Sequence, residues 1–250
     1  KRNVHWPLNK SNRIVVNLWH GIPFKKIGIA SLDQKTNLDK LIAQNKQYTS
    51  IISSSIQDRE NMKLAFDPID ISNVWLTGMP RIDMLLCEEN KLPDEFAVEL
   101  DKIRKLKGKK KLIAFLPTFR NNGKFYEFTI EDKLTLLELL HSNGYIIGVR
   151  EHMAISGEGT LKQLEVIGAC DIGQNVIKNV ESIYREADIL ITDYSSAFID
   201  FMLLRKPILS FAYDYEEYSL KERGVFYSLT NVFPGEICVT FKALILALSK

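Results

Sequence analysis

Short runs of apolar and β-branched residues alternate along the chain with segments of helical period. The runs at residues 14–19, 48–53, 74–77, 111–116, 145–149, 188–192 and 207–212 read as strands. The segments at 37–45, 56–66, 83–89, 94–106, 131–142, 161–167, 180–186 and 196–204 read as helices. Ser54 or Ser55 suits the N-cap of the second of these. In 131–142, Leu134, Leu137, Leu140 and His141 recur at helix intervals, and Gly144 follows as a stop. The last ten residues, FKALILALSK, read as part of a further helix. Strand–helix alternation predicts βαβ units: an α/β fold of parallel sheets with helices on both faces.

Composition adds a division. Residues 102–111, KIRKLKGKKK, carry seven Lys or Arg and no acid, and a new apolar strand follows at once. A boundary there gives domains at 1–107 and 108–250, reasonable lengths for a chain of 250 residues. Lys and Arg number 33 against 31 Asp and Glu, a net +2, which gives no general attraction to nucleic acid. Three scattered cysteines, Cys87, Cys170 and Cys238, make neither a disulfide framework nor a zinc motif, and fit a reducing compartment. No apolar run reaches the length of a membrane span. The opening KRNVHWPLNK lacks the apolar centre of a signal peptide.

In open parallel sheets, ligands bind at the carboxyl ends of strands. Five such places carry unusual polarity. After the first strand come His20, Gly21, Lys25 and Lys26: an imidazole suited to general base work, a glycine permitting close backbone approach, and two phosphate-seeking ammonium groups. The plain alternative is a structural histidine with solvated lysines. After the third strand, Gly78 and Pro80 signal a turn, and Arg81 could pair with Asp83 or with an anion. After the fourth, Thr118 and Arg120 precede an Asn-Asn-Gly loop signal, and a guanidinium matches phosphate geometry. After the fifth stands His152, a second strand-end imidazole. After the sixth, ITDYSSAFID places Thr192, Asp193, Ser195 and Ser196 before a helix and Asp200 within it. Capping needs one of these polar groups; several together suit a pyrophosphate, with Asp200 available to ribose hydroxyls. The alternative for Asp200 is a solvent-facing acid. His5, His141 and the tryptophans have no comparable setting. P-loop, GxGxxG, HExxH and GxSxG motifs are lacking.

WHGIPFKKIG at 19–28, TGMPRIDML at 77–85, LPTFR at 116–120 and DILITDYSSAFIDF at 188–201 resemble the CDP-glycerol glycerophosphotransferases, the teichoic acid primases and polymerases with their capsule-building bacterial relatives. The resemblance implies a GT-B fold, two Rossmann-like halves facing across a cleft, with the donor held mainly by the C-terminal half. It implies His20 as general base and His152 as a steadying group for donor phosphates or leaving group, although REHMAI departs from the family's Arg-x-His-Pro-like form. Gly21, Lys25, Lys26, Gly78, Arg81, Thr118, Arg120, Thr192, Asp193, Ser195, Ser196 and Asp200 would bind substrate. CDP-glycerol or CDP-ribitol would be the donor and a lipid-linked glycan hydroxyl the acceptor. CMP would leave at the inner face of the cytoplasmic membrane, where the basic stretch could help to hold the enzyme. No cofactor is implied, and Mg²⁺ is left open. Family members carry more chain before the WHG motif, so the first half is expected to be partial. Two other readings remain: a GT-B sugar-nucleotide transferase or epimerase relative, and a nucleotide-binding remnant without catalysis.

Overall fold

The computed structural model describes residues 13–31, 37–118, 120, 125–151, 159–221 and 224–250. They pack as two compact units, residues 1–80 with 221–226 and residues 81–220 with 227–250.

The first unit contains β1 (Val16–Asn17), α1 (Leu38–Asn45), β2 (Ser50–Ser53), α2 (Ile56–Ala65) and β3 (Val74–Leu76). Its three strands are parallel in the order β1-β2-β3. The central β2 is buried throughout and packs through Ile51 against Met62, Ala65 and Phe66 of α2 and its C-cap. The start of α2 is fixed reciprocally: Ser55 Oγ accepts the Asp58 N–H, and Asp58 accepts the Ser54 N–H at 2.7 Å. Residues 224–226 return to this unit, where the Phe226 N–H donates to Phe24 O and the Lys26 N–H to Gly224 O.

The second unit begins within α3 (Pro80–Leu86) and continues through α4 (Asp94–Lys107), β4 (Lys111–Leu116), α5 (Ile130–Ser142), β5 (Tyr145–Val149), α6 (Thr160–Leu164) and β6 (Cys170–Asp171). Then come α7 (Val180–Glu186), β7 (Ile189–Thr192), α8 (Ala197–Phe201), β8 (Ile208–Phe211), α9 (Tyr215–Lys221), α10 (Leu229–Val232), β9 (Glu236–Cys238) and α11 (Phe241–Leu248). Six parallel strands lie in the order β6-β5-β4-β7-β8-β9. This is the doubly wound Rossmann order, which reverses between β4 and β7. Both central strands are buried on both faces, which explains their unbroken apolar sequences. Ile113, Phe115, Leu136, Leu140, Ile147, Ile191, Phe211 and Leu244 belong to one core. A capping box starts α5, with Thr129 and Asp132 exchanging side-chain and backbone bonds.

Several boundaries differ from expectation. The strand expected at 14–19 shrinks to two residues because Trp19 turns to φ +47°, its N–H held by Asn17 Oδ1 at 2.9 Å. The helix expected at 83–89 starts at Pro80, a residue whose missing N–H costs nothing in the first turn. The segment 196–204 divides into α8 and a 3₁₀ turn at Met202–Leu204. Strands β6 and β9, of two and three residues, are too short to show a period.

The basic stretch lies inside the second unit. Glu99 of α4 accepts from the N–H groups of Lys178 and Asn179 and from Ser182 Oγ, fastening α4 to the start of α7. Arg104 forks onto Glu89 and reaches Glu186; Lys107 pairs with Glu186, and Lys102 donates to Val176 O. The stretch therefore docks a helix instead of linking two bodies. Among the described residues no helix is long and apolar enough to cross a membrane.

Candidate functional site

A doubly wound sheet opens a crevice outside the carboxyl ends of the strands where their order reverses. In the second unit those ends belong to β4 and β7. The first is followed by Thr118 and Arg120, the second by Asp193, Tyr194, Ser195 and Ser196. The topology thus brings together two segments that stand far apart in the chain. Thr192 Oγ1 stitches the two strands by donating to Leu116 O at 2.8 Å.

Asp193 lies at the centre. Its carboxylate accepts the Thr118 N–H at 3.0 Å, the Tyr194 N–H at 2.5 Å and Arg120 Nη1 at 2.6 Å. Two backbone donors that would suit a bound anion are therefore taken by an internal one. Arg120 is 2% exposed. It forks onto Asp214 at 3.0 and 2.9 Å, and Nη1 also donates to Thr118 O. Its guanidinium carbon lies 5.2, 5.3 and 5.5 Å from the ring centres of Tyr194, Tyr213 and Tyr218. Tyr194 stacks on Tyr218 at 3.7 Å, and its hydroxyl donates to Asp214 at 2.9 Å. Burial works against the Arg120 charge, but the carboxylates of Asp193 and Asp214 outweigh it and raise its pKa. Burial, with the Asp214 charge, also raises Tyr194, and burial pushes Tyr213 up to about 12.

Arg120 is thus engaged with protein carboxylates, where the sequence suggested an anion. What remains turned to other uses is smaller. The Thr118 hydroxyl, on a residue only 9% exposed, has no hydrogen-bond partner among the described residues. Ser195 and Ser196 are half-buried, and Ser195 Oγ accepts the Ala197 N–H at 3.2 Å.

Asp200 is 3% exposed, which removes the solvent-facing alternative. Its carboxylate meets Arg81 Nη2 at 2.9 Å, and Arg81 Nε meets Glu181 at 2.9 Å. Arg81 pairs here with these two acids. Burial pushes the Asp200 pKa up to about 6 in spite of Arg81, and Glu181 adds to the rise.

In the first unit, the segment after β1 packs along α2. The exposed His20 ring lies 4.1 Å from Trp19, which meets Phe66 edge-on. Gly21 is buried at φ +147°. Gly28, at φ +55°, would bring a Cβ within 2.2 Å of Ala65 O. Lys25 forms an antiparallel bridge to Val225, and Lys26 is half-buried beside it. Gly78 ends the β3 turn at φ +78°. His152 lies outside the described residues; just before it, Arg150 donates to the carbonyls of Ile172, Ile177 and Lys178.

Asp214, Tyr213 and Tyr218 were not singled out from the sequence. Asp214 follows the expected strand at 207–212, so the strand-end rule applied to that strand would have found it. A hollow of about 430 Å³ lined by Arg205, Lys206, Pro207, Pro234 and Glu236 opens at the amino end of β8, away from these groups.

Over residues 1–250 the chain matches the family described as CDP-Glycerol:Poly(glycerophosphate) glycerophosphotransferase. It is 28% identical to a teichoic acid poly(ribitol-phosphate) polymerase of Bacillus spizizenii, over 96% of this chain and 38% of that protein. It is 29% identical to a teichoic acid poly(glycerol phosphate) polymerase of the same organism, over 98% of this chain and 63% of that protein. A variant of the wall teichoic acid polymerase TagF, soaked with CDPG, superposes with a TM-score of 0.75 at 27% identity, covering 96% of this chain and 60% of that one. The fold is of the GT-B type, two parallel-sheet halves, the first with three strands. The chain spans between about a third and two thirds of these relatives' lengths.

Proposed function

Because the chain belongs to the CDP-glycerol:poly(glycerophosphate) glycerophosphotransferase family, we propose that it moves glycerol phosphate or ribitol phosphate from a CDP-activated donor to an acceptor hydroxyl. The observation that carries this reading is the buried Thr118 hydroxyl, without a partner among the described residues, at the reversal of strand order, with Ser195 and Ser196 on the neighbouring strand end. A donor pyrophosphate supplies the acceptors such hydroxyls need. In the reaction, the acceptor oxygen attacks the β-phosphorus, the bond from that phosphorus to the CMP oxygen breaks, and CMP leaves. His20 takes the acceptor proton. Lys25 and Lys26 balance phosphate charge, while Gly21 and Gly78 shape the turns after β1 and β3; His152 steadies the leaving group. Positioning and charge stabilisation carry most of such a transfer.

The geometry changes some roles. Arg120 and Asp193 act through the protein scaffold, and Thr192 ties β7 to β4. Asp200 is buried and one of its oxygens is held by Arg81, so contact with ribose asks for a change in the packing over it. The acceptor is lipid-linked in this reading, and the enzyme works at the inner membrane surface. Within the basic stretch Lys105, Lys109, Lys110 and Lys111 stay exposed to such a surface, while Lys102, Arg104 and Lys107 are engaged within the protein.

Calorimetric titration with CDP, CDP-glycerol and UDP-sugars tests the donor. CDP-glycerol should bind most tightly; tighter binding of a UDP-sugar would move the chain to the sugar-nucleotide reading. His20→Ala should lower CMP release from CDP-glycerol by roughly a hundredfold or more, the scale of general base catalysis, while CDP binding persists. Unchanged release would remove His20 from the chemistry.

A further inference from the structure

We infer that Asp214, through Arg120 and Tyr194, is a positioning residue for the donor site. The inference rests on the donor reading above.

The argument starts from donors and acceptors. A guanidinium has five N–H groups in a rigid fork. Four contacts of Arg120 are internal: two to Asp214, one to Asp193 and one to Thr118 O. Little donor capacity is left for a phosphate. The cluster also sets one cation against two carboxylates, a balance that does not attract a pyrophosphate directly. Its geometry serves another purpose. Asp214 follows β8, Asp193 follows β7, and Arg120 with Thr118 follows β4. One buried guanidinium therefore ties three adjacent strand ends together. The Thr118 N–H and the Tyr194 N–H both end on Asp193, which fixes the backbone on each side of the reversal point.

Both edges of the site hang from this bracket. Thr118 carries the hydroxyl that has no partner among the described residues, and Tyr194 immediately precedes Ser195 and Ser196. The Tyr194 ring stacks on Tyr218 with Arg120 beside the pair, and its hydroxyl ends on Asp214. A change at Asp214 thus passes to Thr118 through Arg120 and to Ser195 through Tyr194. Lysine cannot take the place of Arg120, because an ammonium has no fork with which to meet both carboxylates.

The test measures CDP affinity and thermal stability side by side in the full chain. Asp214→Asn leaves Arg120 neutralised by Asp193 and should weaken CDP binding by about tenfold, the effect of losing a charged fork. Arg120→Lys should do the same, and the double variant should be little worse than either alone, the signature of a shared network. Tyr194→Phe keeps the ring and removes one hydroxyl; it should weaken binding by roughly two- to threefold even if Asp214→Asn folds poorly. Thr129→Ala, in the capping box of α5, is the control: it should lower stability and leave CDP affinity unchanged. Wild-type affinity in Asp214→Asn, Arg120→Lys and Tyr194→Phe, with lowered melting temperatures, would make the bracket merely structural and overturn the inference. Absence of CDP binding by the wild type would overturn the donor reading itself, and the inference with it.

Discussion

Thr118 and Asp200 show how burial changes the meaning of a polar side chain. A buried hydroxyl without a partner costs about 1–3 kcal/mol, so an isosteric apolar replacement should be tolerated by the fold. Thr118→Val is therefore expected to keep or slightly raise stability in urea, while weakening CDP binding about tenfold. Equal affinity would free the hydroxyl of any ligand role. Asp200 behaves in the opposite way to an ordinary ion-paired acid. Its pKa is raised to about 6 although it touches Arg81, because burial outweighs the pair. The folded state therefore holds a proton more tightly than the unfolded chain does. The stabilisation linked to that proton is fully present below about pH 4 and is lost as pH rises through about 6, an effect of up to ~3 kcal/mol. Unfolding titrations of wild type and Asp200→Asn should show their stability difference moving against the wild type across that window. A difference independent of pH from 4 to 7 would contradict the assignment.

Helix ends and loop contacts carry the next set of consequences. The loop after β1 presses Gly28 against the backbone of Ala65 at a positive φ. Gly28→Ala forces both a backbone clash and a left-handed alanine, so it should destabilise the first unit by at least ~2 kcal/mol. It should also disturb the neighbouring segment that carries His20. Hydrogen exchange in α2 would report the loss, and unaltered protection there would argue against the contact. Glu99 is the corresponding fastening of α4 to α7. Its carboxylate serves two backbone N–H groups and a serine hydroxyl. Glu99→Ala leaves these donors short of partners and should cost about 2–4 kcal/mol in equilibrium unfolding. Glu99→Gln should cost less, since an amide oxygen still accepts.

Across the whole molecule, the apolar pattern was enough for the α/β class, most strands and the parallel sheets. Buried β4, β7 and β8 read plainly because both their faces are covered, leaving a continuous apolar signal. The edge strands β6 and β9 were not legible, being too short for any periodicity. The division of the chain was misplaced for an electrostatic reason. A run of cations looks like a linker in one dimension, yet Lys102, Arg104 and Lys107 are satisfied by acids and carbonyls of the second unit. Likewise, the return of residues 224–226 to the first unit is carried by backbone bonds that leave no mark on residue type.

Strand-end position and residue chemistry, both local properties, were enough to pick out ITDYSSAFID, Thr118 and Arg120. Which of their atoms the protein engages for itself was decided by packing. Asp193 holds two backbone N–H groups, Arg120 is enclosed by Asp214 and three tyrosines, and Asp200 is paired with Arg81. A hydrogen bond belongs to a pair of groups. Those pairs span 94 residues of sequence between Arg120 and Asp214, and 119 between Arg81 and Asp200. The chain order names the groups, and only the fold decides which of them meet.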